Sequence, residues 1–172
     1  GHVVKDWSHL VAGYPSSGKT ELLAAACSEW ARSGKTVLYI TEESVDIWAR
    51  RASSRKLHTE GYKIVFGLGH GPEALFARAF SGPEEIVVID TLRNLLGLRD
   101  ETDNSRLAEA INPWVAAARA NSKTFILSHH TRKGGGQHGE GIAGGHGLLG
   151  MFDIAMEVLT AMHKANRRVR GA

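Results

Sequence analysis

The stretch AGYPSSGKTELL at residues 12–23 decides the fold, because it places two glycines, a lysine and a threonine at a fixed spacing. Residues 13–20 match the pattern G-x-x-x-x-G-K-[ST], with an apolar segment before them and a helical pattern after them. In that context the motif forms a phosphate-binding loop. Gly13 and Gly18 let backbone N–H groups turn inward around phosphate oxygens, and the helix that follows adds the positive end of its dipole.

The residues of this loop have separate expected roles. We expect the loop to surround a nucleotide's phosphates through Gly13, Tyr14, Pro15, Ser16, Ser17, Gly18, Lys19 and Thr20. Lys19 is expected to neutralise the β and γ phosphates, and Thr20 to give its hydroxyl to a magnesium ion. The sequence therefore predicts ATP and Mg²⁺ as cofactors.

Apolar segments alternate with helical patterns along the rest of the chain. Strands are predicted at residues 7–13, 36–41, 63–67, 85–90 and 123–129, and helices after Gly18, from Ser44 to about His58, from Pro72, and over about 104–121. Continuous apolar strands separated by helices predict an α/β fold with a mainly parallel sheet covered on both faces. Ligands of such sheets gather at the carboxyl ends of the strands.

Three features modify this simple alternation. Pro113 is expected to kink or divide the helix that contains it. Nine glycines fall between residues 134 and 150, a composition typical of a mobile loop. The segments DIAMEVLTAMH and RRVRG, on either side of KAN, predict a C-terminal β-hairpin.

Carboxylates follow two of the predicted strands. Asp90 ends the apolar segment IVVID, a Walker B pattern that predicts a role in positioning Mg²⁺ beside Thr20. Glu42 and Glu43 come directly after the second strand. Either glutamate could take part in catalysis, and either could instead be an exposed acidic residue at the start of the next helix.

The segment YITEES at residues 39–44 resembles the Tyr/Phe-x-x-x-Glu pattern of the RecA-like P-loop ATPases. In that family the catalytic glutamate lies at the end of the strand after the P-loop helix. The resemblance implies that Glu43 is the general base for the attacking water, with Glu42 as the competing candidate. It also implies that Arg51, or its neighbour Arg50, stacks on the adenine base.

The segment ILSHHTRKGGG at residues 126–136 is similar to two related motifs. Replicative hexameric helicases carry a Ser-Gln-x-x-Arg-like segment here, and plasmid RepA-type helicases carry His-His-x-x-Lys. The resemblance implies that His129, ahead of His130, senses the γ-phosphate. It also implies that Arg132 and Lys133 contact nucleic acid, expected to be single-stranded DNA, although the loop lacks aromatic residues for base stacking.

The C-terminal residues are strongly basic. The resemblance implies that Arg168 and Arg170 form an arginine finger reaching the ATP site of a neighbouring subunit in a ring. A basic exposed edge that deters strand pairing is the alternative.

Taken together, the chain looks most like a RepA-type or replicative hexameric helicase motor. The resemblance implies Mg²⁺-dependent ATP hydrolysis coupled to movement on, or remodelling of, nucleic acid by a homo-hexameric ring. A RecA-like or KaiC-like recombinase or protein-remodelling ATPase, a small-molecule P-loop kinase and a non-hydrolysing nucleotide switch stay open.

Composition sets the remaining expectations. The 172 residues, 42% of them hydrophobic, are enough for one domain over residues 1–172, and its C-terminus is expected to be incomplete. The net charge of +3 is only mildly basic, so it neither requires nor excludes nucleic acid. With one cysteine, Cys27, and no long apolar segment, the chain is expected to be cytoplasmic and not to bind membranes.

Overall fold

Residues 2–97, 104–131 and 145–159 are described by a computed structural model. The strands are β1 (Ser8–Gly13), β2 (Val37–Thr41), β3 (Tyr62–Phe66), β4 (Ile86–Asp90), β5 (Thr124–His130) and β6 (Ile154–Val158). The helices are α1 (Lys19–Arg32), α2 (Val45–Arg55), α3 (Pro72–Ser81), α4 (Leu92–Leu95), α5 (Asn104–Ala120) and α6 (Gly145–Leu149).

The six strands form one sheet in the order β3-β2-β4-β5-β1-β6, and every neighbouring pair is parallel. The predicted parallel sheet is therefore confirmed. Because all strands run in one direction, the carboxyl ends of β1, β2, β4 and β5 meet at the same edge. The phosphate-binding loop leaves that edge after β1.

The two faces of the sheet bury different helices. Leu10 and Leu127 belong to a buried cluster that includes Ile111 of α5. Val11, the next residue on β1, belongs to a second cluster with Cys27 of α1. Strand alternation sends successive side chains to opposite faces, so residue parity on each central strand decides which helix layer a side chain meets.

The structure differs from the sequence expectation at several helices. Pro113 does not divide α5, which runs as one helix across it. Trp114 and Val115, directly after the proline, are both buried in the core, and this packing holds the second half of the helix against the sheet. The helices α4 and α6 were not predicted, because four or five residues are too few to show a helical period.

The predicted C-terminal hairpin is described only in its first strand, β6, which pairs with β1. Its second strand falls after residue 159, and most of the glycine-rich segment falls between residues 132 and 144, so both lie outside the described residues. Among the helices that are described, none combines the length and the apolar character needed to cross a membrane.

Candidate nucleotide-binding site

Two glycines shape the loop between β1 and α1, each for a different reason. Gly18 has a φ of 93° and directly precedes α1, so its backbone is left-handed, which favours glycine. At Gly13 the reason is space: a Cβ would lie 2.8 Å from both Ser17 Oγ and the backbone oxygen of Val158, which is too close for a side chain. The loop also contains a turn in which the N–H of Ser17 donates to the carbonyl of Tyr14 at 3.1 Å.

Lys19 lies at the start of α1, and its side chain folds back into the loop. Its Nζ donates to the carbonyls of Gly13 at 2.8 Å and Tyr14 at 2.9 Å. Burial lowers the pKa of Lys19, although the charge of Asp90 opposes this shift. No salt bridge joins Lys19 to a carboxylate within the described parts of the chain. A phosphate in the loop would supply the full negative charge that the carbonyls do not.

Asp90 ends β4 beside the first turn of α1. Its Oδ2 accepts hydrogen bonds from Thr20 Oγ1 at 2.7 Å and from the hydroxyl of Tyr39 at 2.6 Å. Its Oδ1 is buried and has no hydrogen-bond partner among the described residues. Magnesium takes oxygen ligands and retains several waters, so the Thr20 hydroxyl and an Asp90 oxygen without a partner fit such an ion.

Tyr39 was not assigned a role from sequence, although it opens the Tyr-x-x-x-Glu pattern. Burial, and next the nearby charge of Asp90, raise the pKa of Tyr39 well above its ordinary value. The hydroxyl therefore keeps its proton and acts as a donor that orients Asp90.

Glu42 and Glu43 lie in the connection between β2 and α2. Both oxygens of Glu43 accept hydrogen bonds from the guanidinium of Arg51. Glu42 instead accepts from the side-chain amide of Asn94, with 2.6 Å between Oε2 and Nδ2. Both glutamates reach the site, and their different partners distinguish them.

These groups surround one cavity of about 330 Å³. It is lined by Ser16, Gly18, Lys19, Thr20, Glu21, Glu42, Glu43, Arg51, Asp90, Thr91 and His130. Four of the predicted loop residues, the metal-site residue Asp90 and the expected general base Glu43 thus meet at one cavity. The other predicted loop residues, Gly13, Tyr14, Pro15 and Ser17, do not line it. Glu21 was not assigned a role from sequence, because an acidic residue in the first turn of a helix is common.

The two histidines at the end of β5 occupy different environments. His129 pairs in register with Ala12, and His130 with Gly13, so their side chains point to opposite faces. His130 lines the cavity, with its Nδ1 3.1 Å from Lys19 Nζ, whereas His129 is 1% exposed and does not line it. The structure therefore brings His130 to the phosphate loop and not His129, which the sequence analysis preferred.

Ser128 is a further polar residue that sequence analysis left without a role. It is fully buried, and its hydroxyl has no hydrogen-bond partner among the described residues. Ile89 and Leu127 are register partners, so the residues that follow them, Asp90 and Ser128, lie side by side on one face of the sheet. Both therefore present buried polar atoms without partners to the same region.

Arg51 also lines the cavity, as expected for an adenine contact. Its guanidinium, however, is paired with Glu21 and Glu43 and lies 4.8 Å from the centre of the Trp48 ring. The adenine contact stays a prediction. So do the roles of Arg132 and Lys133 towards nucleic acid and of Arg168 and Arg170 as a finger, since these four residues lie outside the described residues.

A family model described as an AAA domain matches residues 1–136 of the chain. The chain belongs to the AAA domain family. This membership and the parallel sheet confirm the RecA-like P-loop ATPase class and its fold. The finer resemblance to RepA-type helicase motors stays a prediction.

Named relatives of this AAA domain come from two bacteria. It is 27% identical over 177 residues to the DNA repair protein RadA of Mycobacterium tuberculosis (strain CDC 1551 / Oshkosh), covering 99% of this chain and 35% of RadA. It is also 27% identical over 178 residues to the DNA repair protein RadA of Campylobacter jejuni subsp. jejuni, covering 99% of this chain and 38% of that protein. The chain thus spans little more than a third of the length of these curated relatives.

Proposed function

We propose that the chain is the Mg²⁺-dependent ATPase domain of a protein that acts on DNA. The observation that carries this proposal is the convergence of Lys19, the Thr20–Asp90 pair and Glu43 on one cavity. P-loop ATPases need these three elements: a cation for the phosphates, oxygen ligands for the metal and a group that activates water. The relatives' description as DNA repair proteins supports DNA as the partner.

The reaction that this arrangement supports is hydrolysis of the bond between the β and γ phosphates. The γ-phosphate replaces the carbonyls of Gly13 and Tyr14 as the acceptor for the hydrogen bonds of Lys19 Nζ. Thr20 and Asp90 would hold Mg²⁺, which would supply charge neutralisation at the phosphates when bound. Glu43 accepts a proton as a water oxygen bonds to the γ-phosphorus, and the bond from that phosphorus to the bridging oxygen breaks to give ADP and phosphate.

Within this class we favour a ring-forming helicase-like motor that moves on single-stranded DNA through Arg132 and Lys133. A RecA-like recombination or repair ATPase is the second candidate, and the description of both relatives as DNA repair proteins supports it. The two candidates share the ATP site and differ in whether hydrolysis separates the strands of a duplex.

The test of the proposed function is phosphate release from ATP with and without single-stranded DNA. We expect turnover that requires Mg²⁺ and rises several-fold with DNA, and a stimulation that weakens as salt increases, because phosphate contacts release counterions. Mass measurement in solution tests the ring. The same turnover with and without DNA at low salt would contradict action on DNA, and phosphate transfer to a small molecule without phosphate release would favour a kinase.

His130→Ala is expected to keep ATP binding but to lose the stimulation by single-stranded DNA, because His130 contacts the lysine that meets the γ-phosphate. His129→Gln is the matched control, since it changes the neighbouring ring on the opposite face of the sheet. Phosphate release with and without DNA measures both variants. Loss of stimulation in His129→Gln with a normal response in His130→Ala would return the sensor role to His129.

A further inference from the structure

Glu43, in the connection between β2 and α2, is held by a bidentate contact with Arg51. Its Oε1 accepts from Arg51 Nη2 at 3.0 Å, and its Oε2 accepts from Arg51 Nη1. Two parallel hydrogen bonds fix the plane of a carboxylate as well as its position. The Glu43 side chain is 28% exposed, so without this pair it would be free to adopt several rotamers.

Arg51 is itself fixed from two further sides. Its Nε donates to Glu21 Oε1 at 2.8 Å, and its guanidinium carbon lies 4.8 Å from the centre of the Trp48 ring. The Trp48 ring is in turn held by a hydrogen bond from its Nε1 to Thr41 Oγ1 at 3.2 Å. Only 9% of the Arg51 side chain is exposed, so its partners surround it on most sides.

The charges of this group favour a fixed ion pair. Burial alone would lower the pKa of Arg51, but the hydrogen bonds that Arg51 donates to Glu43 and Glu21 raise it above its ordinary value. The hydrogen bond from Arg51 to Glu21 in turn lowers the pKa of Glu21. The guanidinium is thus balanced by two carboxylates, one on the helix of the phosphate loop and the other on the expected general base.

We propose that Arg51 is a positioning residue that orients the Glu43 carboxylate towards the phosphates, with Glu21 tying this support to the helix that begins at Lys19. This inference rests on the proposed function, in which Glu43 activates the water. A carboxylate has about four lone-pair positions, so the two bonds from Arg51 leave room for a water molecule. The position of the Glu43 carboxylate relative to the phosphate loop is then set by one chain of contacts, Glu21–Arg51–Glu43.

This role makes a different prediction from an adenine contact. A residue that orients the base acts on the rate of the chemical step, whereas a residue that stacks on adenine acts on the affinity and on the choice between ATP and GTP. Steady-state kcat and KM, together with the Kd of a non-hydrolysable ATP analogue, therefore separate the two roles.

Arg51→Gln is expected to lower kcat by about ten- to a hundredfold, because a misplacement of about 1 Å costs a rate factor of that order. The Kd of the analogue is expected to change less than about threefold, since no phosphate contact is lost. Arg51→Lys should recover part of kcat, because an ammonium keeps the charge and one hydrogen bond. The matched control is Arg55→Gln, since Arg55 donates to the same Glu21 at 3.0 Å but is 64% exposed and its hydrogen bond goes to Glu21 and not to Glu43.

A double variant shows whether Arg51 acts through Glu43. If it does, Arg51→Gln should cause no further loss of kcat when added to Glu43→Gln, because coupled residues are not additive. The inference is overturned by a raised Kd with an unchanged kcat, which would indicate adenine contact, or by an equal loss in the Glu43→Gln background, which would indicate a structural role. If Arg51→Gln does not fold, Arg51→Lys takes its place in the same cycle.

The outcome also separates this inference from the proposed function. A Glu43→Gln variant with normal kcat would remove Glu43 as the base and overturn the positioning role, while its turnover would leave the proposed ATPase function standing. A Glu43→Gln variant with low kcat beside an Arg51→Gln variant with normal kcat would overturn the positioning role alone.

Discussion

Lys19→Ala is expected to lower ATP affinity by at least about a hundredfold and to bring turnover to background, because it removes a charge-assisted contact with the β and γ phosphates. The cation comes from within the loop, where its Nζ lies within 2.9 Å of two backbone carbonyls. Among the described residues, Lys19 and Arg51 are the only lysine and arginine that line the cavity, and Arg51 is paired with two carboxylates. Calorimetric titration with ATP and a phosphate-release assay measure the two effects.

The matched control is Lys35→Ala, which removes a lysine that is 47% exposed and paired with Glu85. This variant should keep normal affinity and turnover, because exposed ion pairs contribute little. Thermal unfolding of both variants shows whether loss of the Lys19 bonds to the loop carbonyls also destabilises the fold. Turnover close to that of the unchanged protein in a folded Lys19→Ala variant would contradict the assignment of the loop.

The phosphate loop and the sheet could be predicted because their signals are local. Gly13, Gly18 and Lys19 lie within seven residues of one another. Their spacing alone indicates the backbone conformations that a phosphate-binding loop needs. The five strands predicted for the sheet appear as mainly apolar runs, so the parallel sheet and the edge where Asp90 lies follow from the order of elements. Family membership then agrees with the same class of fold.

Which of His129 and His130 lines the cavity could not be predicted, because this depends on the parity of a strand residue. A shift of one residue moves a side chain to the opposite face of the sheet, and the last residue of a strand is seldom placed that closely from sequence. The register with Ala12 and Gly13 supplied the missing information.

The hydrogen bonds from Arg51 to Glu43 could also not be predicted from the sequence. Glu21 and Arg51 are 30 residues apart and on different helices, and no periodic pattern joins them. Arg51 and Glu43 are separated by eight residues, which is not the spacing of neighbours on one helix. Only the packing of α1 against β2 and α2 brings the three side chains together, so tertiary structure decides this part of the site.

Glu43→Gln is expected to leave ATP binding within about threefold while lowering turnover by about 10²- to 10⁴-fold, the usual contribution of a general base. The amide keeps the shape of the carboxylate, and its oxygen can still accept from Arg51, but it cannot take a proton from water. Calorimetric binding of ATP together with single-turnover phosphate release separates the two quantities.

Glu42→Gln provides the control from the adjacent residue. Glu42 lines the same cavity, so both variants remove one negative charge near the phosphates. Its carboxylate accepts from the amide of Asn94, a neutral partner that the glutamine amide oxygen can also satisfy. We therefore expect Glu42→Gln to change turnover much less than Glu43→Gln. The reverse order would place the base one residue earlier, and Arg51 would then support an acidic residue outside the reaction.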